Sequence, residues 1–150
     1  MNTARAPNVR LRLGGHAKEK AREDRFAWCR AQVPDGETVR FECAYDGALV
    51  AKLPAHVGLV TESLLIWKTK PRRRPPELSS ETVVPLREIR QLEIGGPTMH
   101  VTFPPECDLA WPAPKDPKEQ GTRIWLRWRS DQQAREVGEW ISSRSGHLSD

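Results

Sequence analysis

The sequence predicts a mainly β domain of the α+β class, in which about seven short antiparallel strands are capped by a C-terminal helix. Between residues 36 and 129, apolar residues alternate with polar ones in short runs separated by Gly, Pro and Asp, as antiparallel strands do. Helical periodicity is confined to the two ends of the chain, which excludes the strand–helix alternation of a doubly wound sheet. We therefore expect a bent antiparallel sheet or partly open barrel, with an extra N-terminal helix.

Length and composition place the chain among one-domain proteins. It has 150 residues, of which 37% are hydrophobic and 29% charged, and no apolar run approaches the ~18 residues of a membrane span. The basic N-terminus is not followed by an apolar stretch, so we expect no signal peptide. Three widely spaced cysteines, with no CxxC pair, argue against disulfides and favour the cytoplasm.

The excess positive charge lies mostly at the N-terminus. Residues 1–33 hold eight Lys and Arg against three Asp and Glu, a net +5, whereas the whole chain is +4. We divide the chain into a flexible basic tail at 1–16, a helix at 17–33, a folded domain at 36–143 and a C-terminal tail at 144–150.

The N-terminal helix contains no Gly or Pro between Ala17 and Val33 and ends before Pro34. Its apolar residues are concentrated in the second half, and its first half is mostly charged. We expect the second half to dock on the domain and the first half to project into solvent.

The strands follow from period-two alternation and from turn residues. They are expected at about 38–45, 59–61, 64–68, 82–86, 89–94, 99–103 and 122–129, with a further short paired segment at 48–53. In the last strand Ile124, Leu126 and Trp128 share one face, which we expect to be buried. The capping-box pair Ser130 and Gln133 then opens the C-terminal helix.

The order of these motifs resembles the pleckstrin-homology-like superfold, specifically its GRAM and bacterial PH-domain branch. The resemblance is carried by Gly36-Glu37, by the Gly-Leu-Val-Thr hairpin of Gly58–Trp67, by Leu86–Ile94, and by the closing strand and helix Ile124–Ile141. It covers residues 36–143. Members of this superfold bind phosphoinositides or peptides or serve as scaffolds, so the resemblance implies a binding module without naming its ligand.

A basic loop is the first candidate site. Its cations are Lys68, Lys70, Arg72, Arg73 and Arg74. In the resembling family such loops often meet anionic lipid headgroups, and clustered cations gain ~1 kcal/mol each at an anionic membrane. The alternative is a solvated loop stiffened by proline.

The outward face of the last strand is the second candidate, because Trp125 lies there between Arg123 and Arg127. Such a face can stack a nucleic-acid base or hold a peptide. The expectation we favour is that the N-terminal helix covers it, with Phe26 or Trp28 packed on Trp125.

Trp111, in the acidic proline-rich loop before the last strand, is the third candidate. A loop tryptophan can anchor a protein partner. The alternative is that it folds back onto its own domain.

Catalytic motifs are absent from the sequence. Cys107 is the one cysteine placed in a loop, and no His stands in a recognisable motif near it. Ligand-type residues do not cluster at metal-binding spacings. We therefore expect no enzyme activity, no catalytic residue, no metal site and no cofactor.

These observations predict a non-catalytic adaptor with a PH-like fold. It would recruit a protein partner or an anionic membrane surface, working in a bacterial-type cytoplasm and, in the second case, at the inner membrane. The alternative is a nucleic-acid-associated protein that uses the basic N-terminal segment and the Arg/Trp strand face.

Overall fold

A computed structural model describes residues 2–47, 55–69, 81–110 and 122–148. These residues form seven strands and two α-helices, joined in places by short 3₁₀ turns. The elements are α1 (Asn2–Ala31), β1 (Phe41–Tyr45), β2 (His56–Val60), β3 (Leu64–Thr69), β4 (Glu81–Pro85), β5 (Gln91–Gly95), β6 (Thr98–Phe103), β7 (Thr122–Arg127) and α2 (Asp131–Arg144).

The strands make two antiparallel sheets in chain order. The first sheet is β1-β2-β3-β4 and the second is β5-β6-β7. The predicted mainly β, α+β class with a C-terminal helix is confirmed, and the two sheets do not join into a closed barrel. The expected short segment at 48–53 lies outside the described residues.

The main core lies between the two sheets and α2. Ile124, Leu126 and Trp128 are buried, as the alternation of the last strand predicted. They belong to one apolar cluster with the buried face of α2, formed by Ala134, Val137 and Ile141. The register of β7 is therefore the one inferred from sequence.

The start of α2 is fixed by its capping residues. The Ser130 hydroxyl accepts a hydrogen bond from the Gln133 N–H at 3.1 Å, as a capping box requires. The Gln133 side-chain oxygen accepts from the N–H of Arg129, one residue before the cap, at 2.8 Å. The first bond satisfies a donor that the first turn of a helix leaves without a partner, and the second ties the residue before the cap to the helix.

The second half of α1 docks on the outer face of the first sheet. Cys29 is fully buried in a second apolar cluster with β2, β3 and β4 side chains such as Leu59 and Ile66. Phe26 and Trp28 pack against the same cluster. Ala17 through Lys20 are exposed, so the helix is held by its C-terminal half, as its apolar residues predicted.

Two expectations about α1 differ from the structure. The helix begins at Asn2 rather than at Ala17, and so continues through Gly14, Gly15 and Pro7, where extension of an already formed helix needs no new nucleus. In addition, α1 covers the first sheet and not β7, so Phe26 and Trp28 do not lie on Trp125. The outer face of β2 and β3 is apolar, whereas the outward face of β7 carries Arg123 and Arg127, so the apolar half of α1 packs on the first sheet.

The two sheets meet where β2 and β3 cross β7. A Cβ on Gly58 would collide with the end of the Leu126 side chain and lie 3.1 Å from Cys43 Sγ, so the absence of a side chain at Gly58 permits this close approach. The Trp67 indole N–H donates to the Trp125 carbonyl at 3.0 Å. The His56 Nε2 accepts from the Arg127 N–H at 3.0 Å, so this buried ring nitrogen carries no proton.

Two carboxylates fasten the chain before β1 to the turn between β2 and β3. Glu37 accepts hydrogen bonds from the Ser63 N–H and from the Thr61 hydroxyl. Glu62 accepts from the N–H and the hydroxyl of Thr38, at 2.8 and 2.7 Å. Hydrogen bonds from Thr38 lower the pKa of Glu62 to about 2.

Replacing Gly58 by Ala should lower the free energy of unfolding by ~1–3 kcal/mol, because the added methyl group overpacks the junction of the sheets. Urea denaturation measures this change. Gly95→Ala is the matched control, since a Cβ there meets nothing within 4 Å. Equal stability of the two variants would contradict the close approach at Gly58.

Deletion of residues 1–16 should leave the melting temperature nearly unchanged, whereas deletion of residues 1–33 should lower it by about 5–10 °C. The longer deletion removes Phe26, Trp28 and Cys29 from the apolar outer face of the first sheet. Thermal unfolding followed by circular dichroism tests both truncations. The same melting temperature for both would show that α1 adds nothing to stability.

The lowered pKa of Glu62 predicts acid sensitivity. Its pKa in the folded chain lies below its usual value of 4.5, so its stabilising effect is complete above pH 4.5 and is lost as the pH falls towards 2. Above pH 4.5 the natural chain should have a higher free energy of unfolding than Glu62→Gln. This difference, measured in urea titrations, should shrink as the pH falls towards 2. Thr38→Val removes the hydroxyl that donates to Glu62, so the stability of this variant should also depend less on pH in this range. Parallel pH profiles for all three chains would refute this assignment.

Candidate functional site

Three of the four outer strands are bordered by other parts of the chain. Beside β4, the Leu109 N–H donates to the Val83 carbonyl at 2.7 Å, and the Asp108 carboxylate accepts from the Val83 N–H at 3.0 Å. β1 and β7 approach each other where the sheets meet, with the Arg127 guanidinium 5.7 Å from the Tyr45 ring centre. In the described part of the chain, β5 pairs with β6 alone.

A groove runs between β5 and α2. It has a volume of about 550 Å³. Its apolar lining comes from β5, α2 and the segment after α2: Leu92, Ile94, Gly138 and Leu148. Its polar lining comes from α2: Arg135, Glu139, Ser142 and Ser143. An apolar floor with a polar lip, beside a strand edge, is the geometry that receives an extended peptide.

Gly138 sets the depth of this groove. A Cβ at this position would lie 2.5 Å from Ile94 Cδ1 and 3.5 Å from Leu92 Cδ2. Glycine costs a helix interior about 1 kcal/mol relative to alanine, and here it allows β5 side chains to lie directly against the helix. Ile94 nevertheless remains partly exposed along the groove.

The lip of the groove carries both signs of charge. Arg135 and Glu139, one helical turn apart on α2, are both exposed. The outward face of β5 carries Glu93, whose carboxylate accepts from the Arg123 guanidinium at 2.9 Å. The groove therefore offers apolar contact inside and polar contact at its rim.

The predicted strand-face site is engaged within the protein. Arg123 pairs with Glu93, and Arg127 lies over Tyr45. Trp125 is half-buried and meets Trp67 edge to face, with ring centres 6.0 Å apart. The structure brings these three residues onto one face, where each has an intramolecular contact.

Lys68 is the described member of the predicted basic loop. Its ammonium lies 3.0 Å from the Glu81 carboxylate and 5.3 Å from the Trp28 ring centre. Both contacts tie Lys68 to β4 and α1. The other predicted cations, Lys70 and Arg72–Arg74, lie outside the described residues, as does Trp111.

The three thiols lie in environments that favour the protonated form. Burial raises the pKa of Cys29 to about 12 and also raises the pKa of Cys43. Desolvation, followed by a hydrogen bond to Glu88, raises the pKa of Cys107. A raised pKa keeps a thiol from forming the nucleophilic thiolate at neutral pH.

Glu88 stands between Cys107 and His147. The Cys107 Sγ lies 3.5 Å from Glu88 Oε2, and the His147 Nε2 lies 3.9 Å from the same oxygen. The imidazole thus faces the carboxylate rather than the sulfur, so this arrangement lacks the direct contact of nucleophile and base that activated thiols use. Among the described residues, no group of three His, Cys, Asp or Glu side chains could hold a metal ion.

Sequence reasoning did not single out the groove. One usable signal was a glycine on the apolar face of the last helix, which indicates that another element approaches closely. Local sequence could not identify the residue that packs on that glycine, because Ile94 is more than forty residues away along the chain.

Comparison of the chain with protein-family models, curated proteins and solved structures found no match. No described helix is long and apolar enough to cross a membrane.

Proposed function

We propose that this protein is a non-catalytic binding module that recruits a protein partner by adding an extended segment of that partner to β5. The observation that carries the proposal is the edge of β5 beside the groove of Leu92, Ile94 and Gly138. An edge strand offers backbone donors and acceptors, and the adjoining apolar groove supplies specificity for alternate side chains.

The partner's chemistry follows from the period of a strand. Successive side chains of an added strand point to opposite faces, so every second residue would enter the groove. The segment should therefore carry aliphatic or aromatic residues two positions apart, with polar residues between them. Exposed Arg135 and Glu139 at the rim favour a segment with charges of both signs over a purely basic or acidic one.

A PH-like relationship is part of this proposal. Seven antiparallel strands in two sheets, followed by a C-terminal helix, support the resemblance drawn from the sequence motifs. Peptide binding, one of the functions found in that superfold, needs a groove and no catalytic centre. A cytoplasmic location belongs to the same proposal, since the described cysteines are unpaired thiols.

A protein partner is preferred to the other two partners suggested by the sequence. Membrane recruitment would use Lys68, Lys70 and Arg72–Arg74, and the described member of this set, Lys68, already contacts Glu81 and Trp28. Nucleic-acid binding would use the basic N-terminal segment and the Arg/Trp strand face, of which Arg123 and Arg127 already contact Glu93 and Tyr45. The groove instead offers apolar lining residues, Leu92, Ile94 and Leu148, beside the edge of β5.

The proposal is tested by selecting peptides from a random library displayed on phage, with the full chain as bait. The selected sequences should share apolar residues at alternate positions, and binding should slow amide exchange in β5. Ile94→Ser should weaken binding about tenfold or more, because a buried aliphatic side chain contributes ~1.5–3 kcal/mol.

Val39→Ser is the matched control for this test. Val39 and Ile94 are almost equally exposed, at 38% and 40%, but Val39 lies before β1 and does not line the groove. Peptides that bind both variants as tightly as the natural chain, without slowing exchange in β5, would place the binding surface elsewhere. Failure to recover any peptide would count against the proposal itself.

A further inference from the structure

After α2 the chain passes beside residues 87–89, which lead into β5. The Ser145 hydroxyl donates to the Ile89 carbonyl at 2.8 Å, and the Gly146 N–H donates to the Arg87 carbonyl at 3.3 Å. Leu148 then packs on the main core and lines the groove. Residues 145–148 are called the C-terminal strap below.

The strap occupies two backbone carbonyls in the segment that leads into β5, that of Arg87 in the 3₁₀ turn Leu86–Glu88 and that of Ile89. Arg87 and Ile89 stand just before Gln91, where β5 begins. A partner segment that pairs along β5 and extends past Gln91 would reach the place where Ser145 and Gly146 are bonded. Such a segment would meet the strap at one end of the groove.

Leu148 adds a side-chain component to this competition. It lines the same groove as Leu92 and Ile94, and it packs against the same core as Leu92. An apolar side chain of an added strand would need that part of the groove. The chain thus supplies, from its own C-terminal side, an apolar residue of the type expected in the partner.

The strap is held by few contacts. Gly146 and His147 are exposed, and Ser145 and Leu148 are only partly buried. His147 contributes an N–H bond to the Ser145 hydroxyl at 3.1 Å and a long contact of 3.9 Å to Glu88. Segments with few buried contacts open locally at much lower free energy than the core, so the strap can leave while α2 stays folded.

We infer that the C-terminal strap is an intramolecular competitor that closes one end of the groove between β5 and α2 and is displaced when a partner segment binds. This inference rests on the proposed function, because the competition concerns the same groove. The apparent dissociation constant equals the intrinsic one divided by the fraction of molecules with the strap open. Weakening the strap should therefore tighten partner binding.

A different role for Leu148, as a fixed part of the binding surface, would change partner affinity in the opposite direction. If Leu148 were a fixed wall that contacts the partner, removing its side chain would weaken binding. The two roles differ in the sign of the effect, which makes the measurement decisive.

The test uses fluorescein-labelled peptides selected from the phage library on the full chain. Fluorescence polarisation compares the natural chain with Leu148→Ser and with Ser145→Ala, which removes the bond to Ile89. Each variant should bind about tenfold tighter, a change of ~1.4 kcal/mol. Leu109→Ser is the matched control, since Leu109 is 67% exposed and lies outside the groove, and it should bind like the natural chain.

Unchanged or weaker binding by both strap variants, with melting temperatures showing that they fold, would overturn the inference. Amide exchange supplies a measurement that needs no ligand. The Gly146 N–H should exchange much faster than the N–H of Val137 in α2, and faster still in Leu148→Ser.

Equal protection of Gly146 and Val137 would show that the strap opens only with the whole domain, and would also overturn the inference. If no peptide binds any variant, the proposed function fails, while exchange at Gly146 still decides whether the strap opens separately.

Discussion

The close meeting of β2 and β7 is the constraint on which the rest of the structure depends. Gly58 lets the Leu126 side chain pack directly on the backbone of β2, and a Cβ at this position would collide with Leu126 unless that side chain moved. His56 and Trp67 then bond to the main chain of β7 rather than to its side chains. Because these bonds hold the backbone itself, they fix the whole second sheet against the first, and with it the base on which α2 packs.

The same arrangement determines which surfaces are left for a partner. The outer face of the first sheet is taken by α1, because its apolar side chains bury against β2 and β3. The side of β4 is taken by residues 108–109, and β7 is drawn towards β1. Among the strands that the structure describes, the edge of β5 remains, next to a helix whose Gly138 leaves room for apolar side chains. Binding at this edge would disturb none of the described contacts that hold the sheets together, so the proposed recognition and the stability of the fold would depend on different strands.

The candidate residues named from sequence illustrate how folding uses charges and aromatic rings. Arg123 looked available beside Trp125, but its partner Glu93 stands thirty residues earlier, two strands away in the same sheet. Lys68 looked like part of a basic loop, but it is held between Glu81 and Trp28, which come from β4 and α1. In both cases local sequence identified a group able to bind anions and could not show that another part of the chain already binds it.

The sequence by itself determined the strand period, the buried face of β7, the capped start of α2 and the polarity gradient of α1, since each depends on residues within one element. It therefore predicted the fold class and the docking of the second half of α1. Only the tertiary structure decided which sheet α1 covers, which strand edge stays accessible and where the groove lies. Those features depend on contacts between residues far apart in the chain, such as Gly138 with Ile94 and Ser145 with Ile89. Periodicity shows that a face is apolar, but the choice of its partner is made by the shape and area of all competing surfaces together.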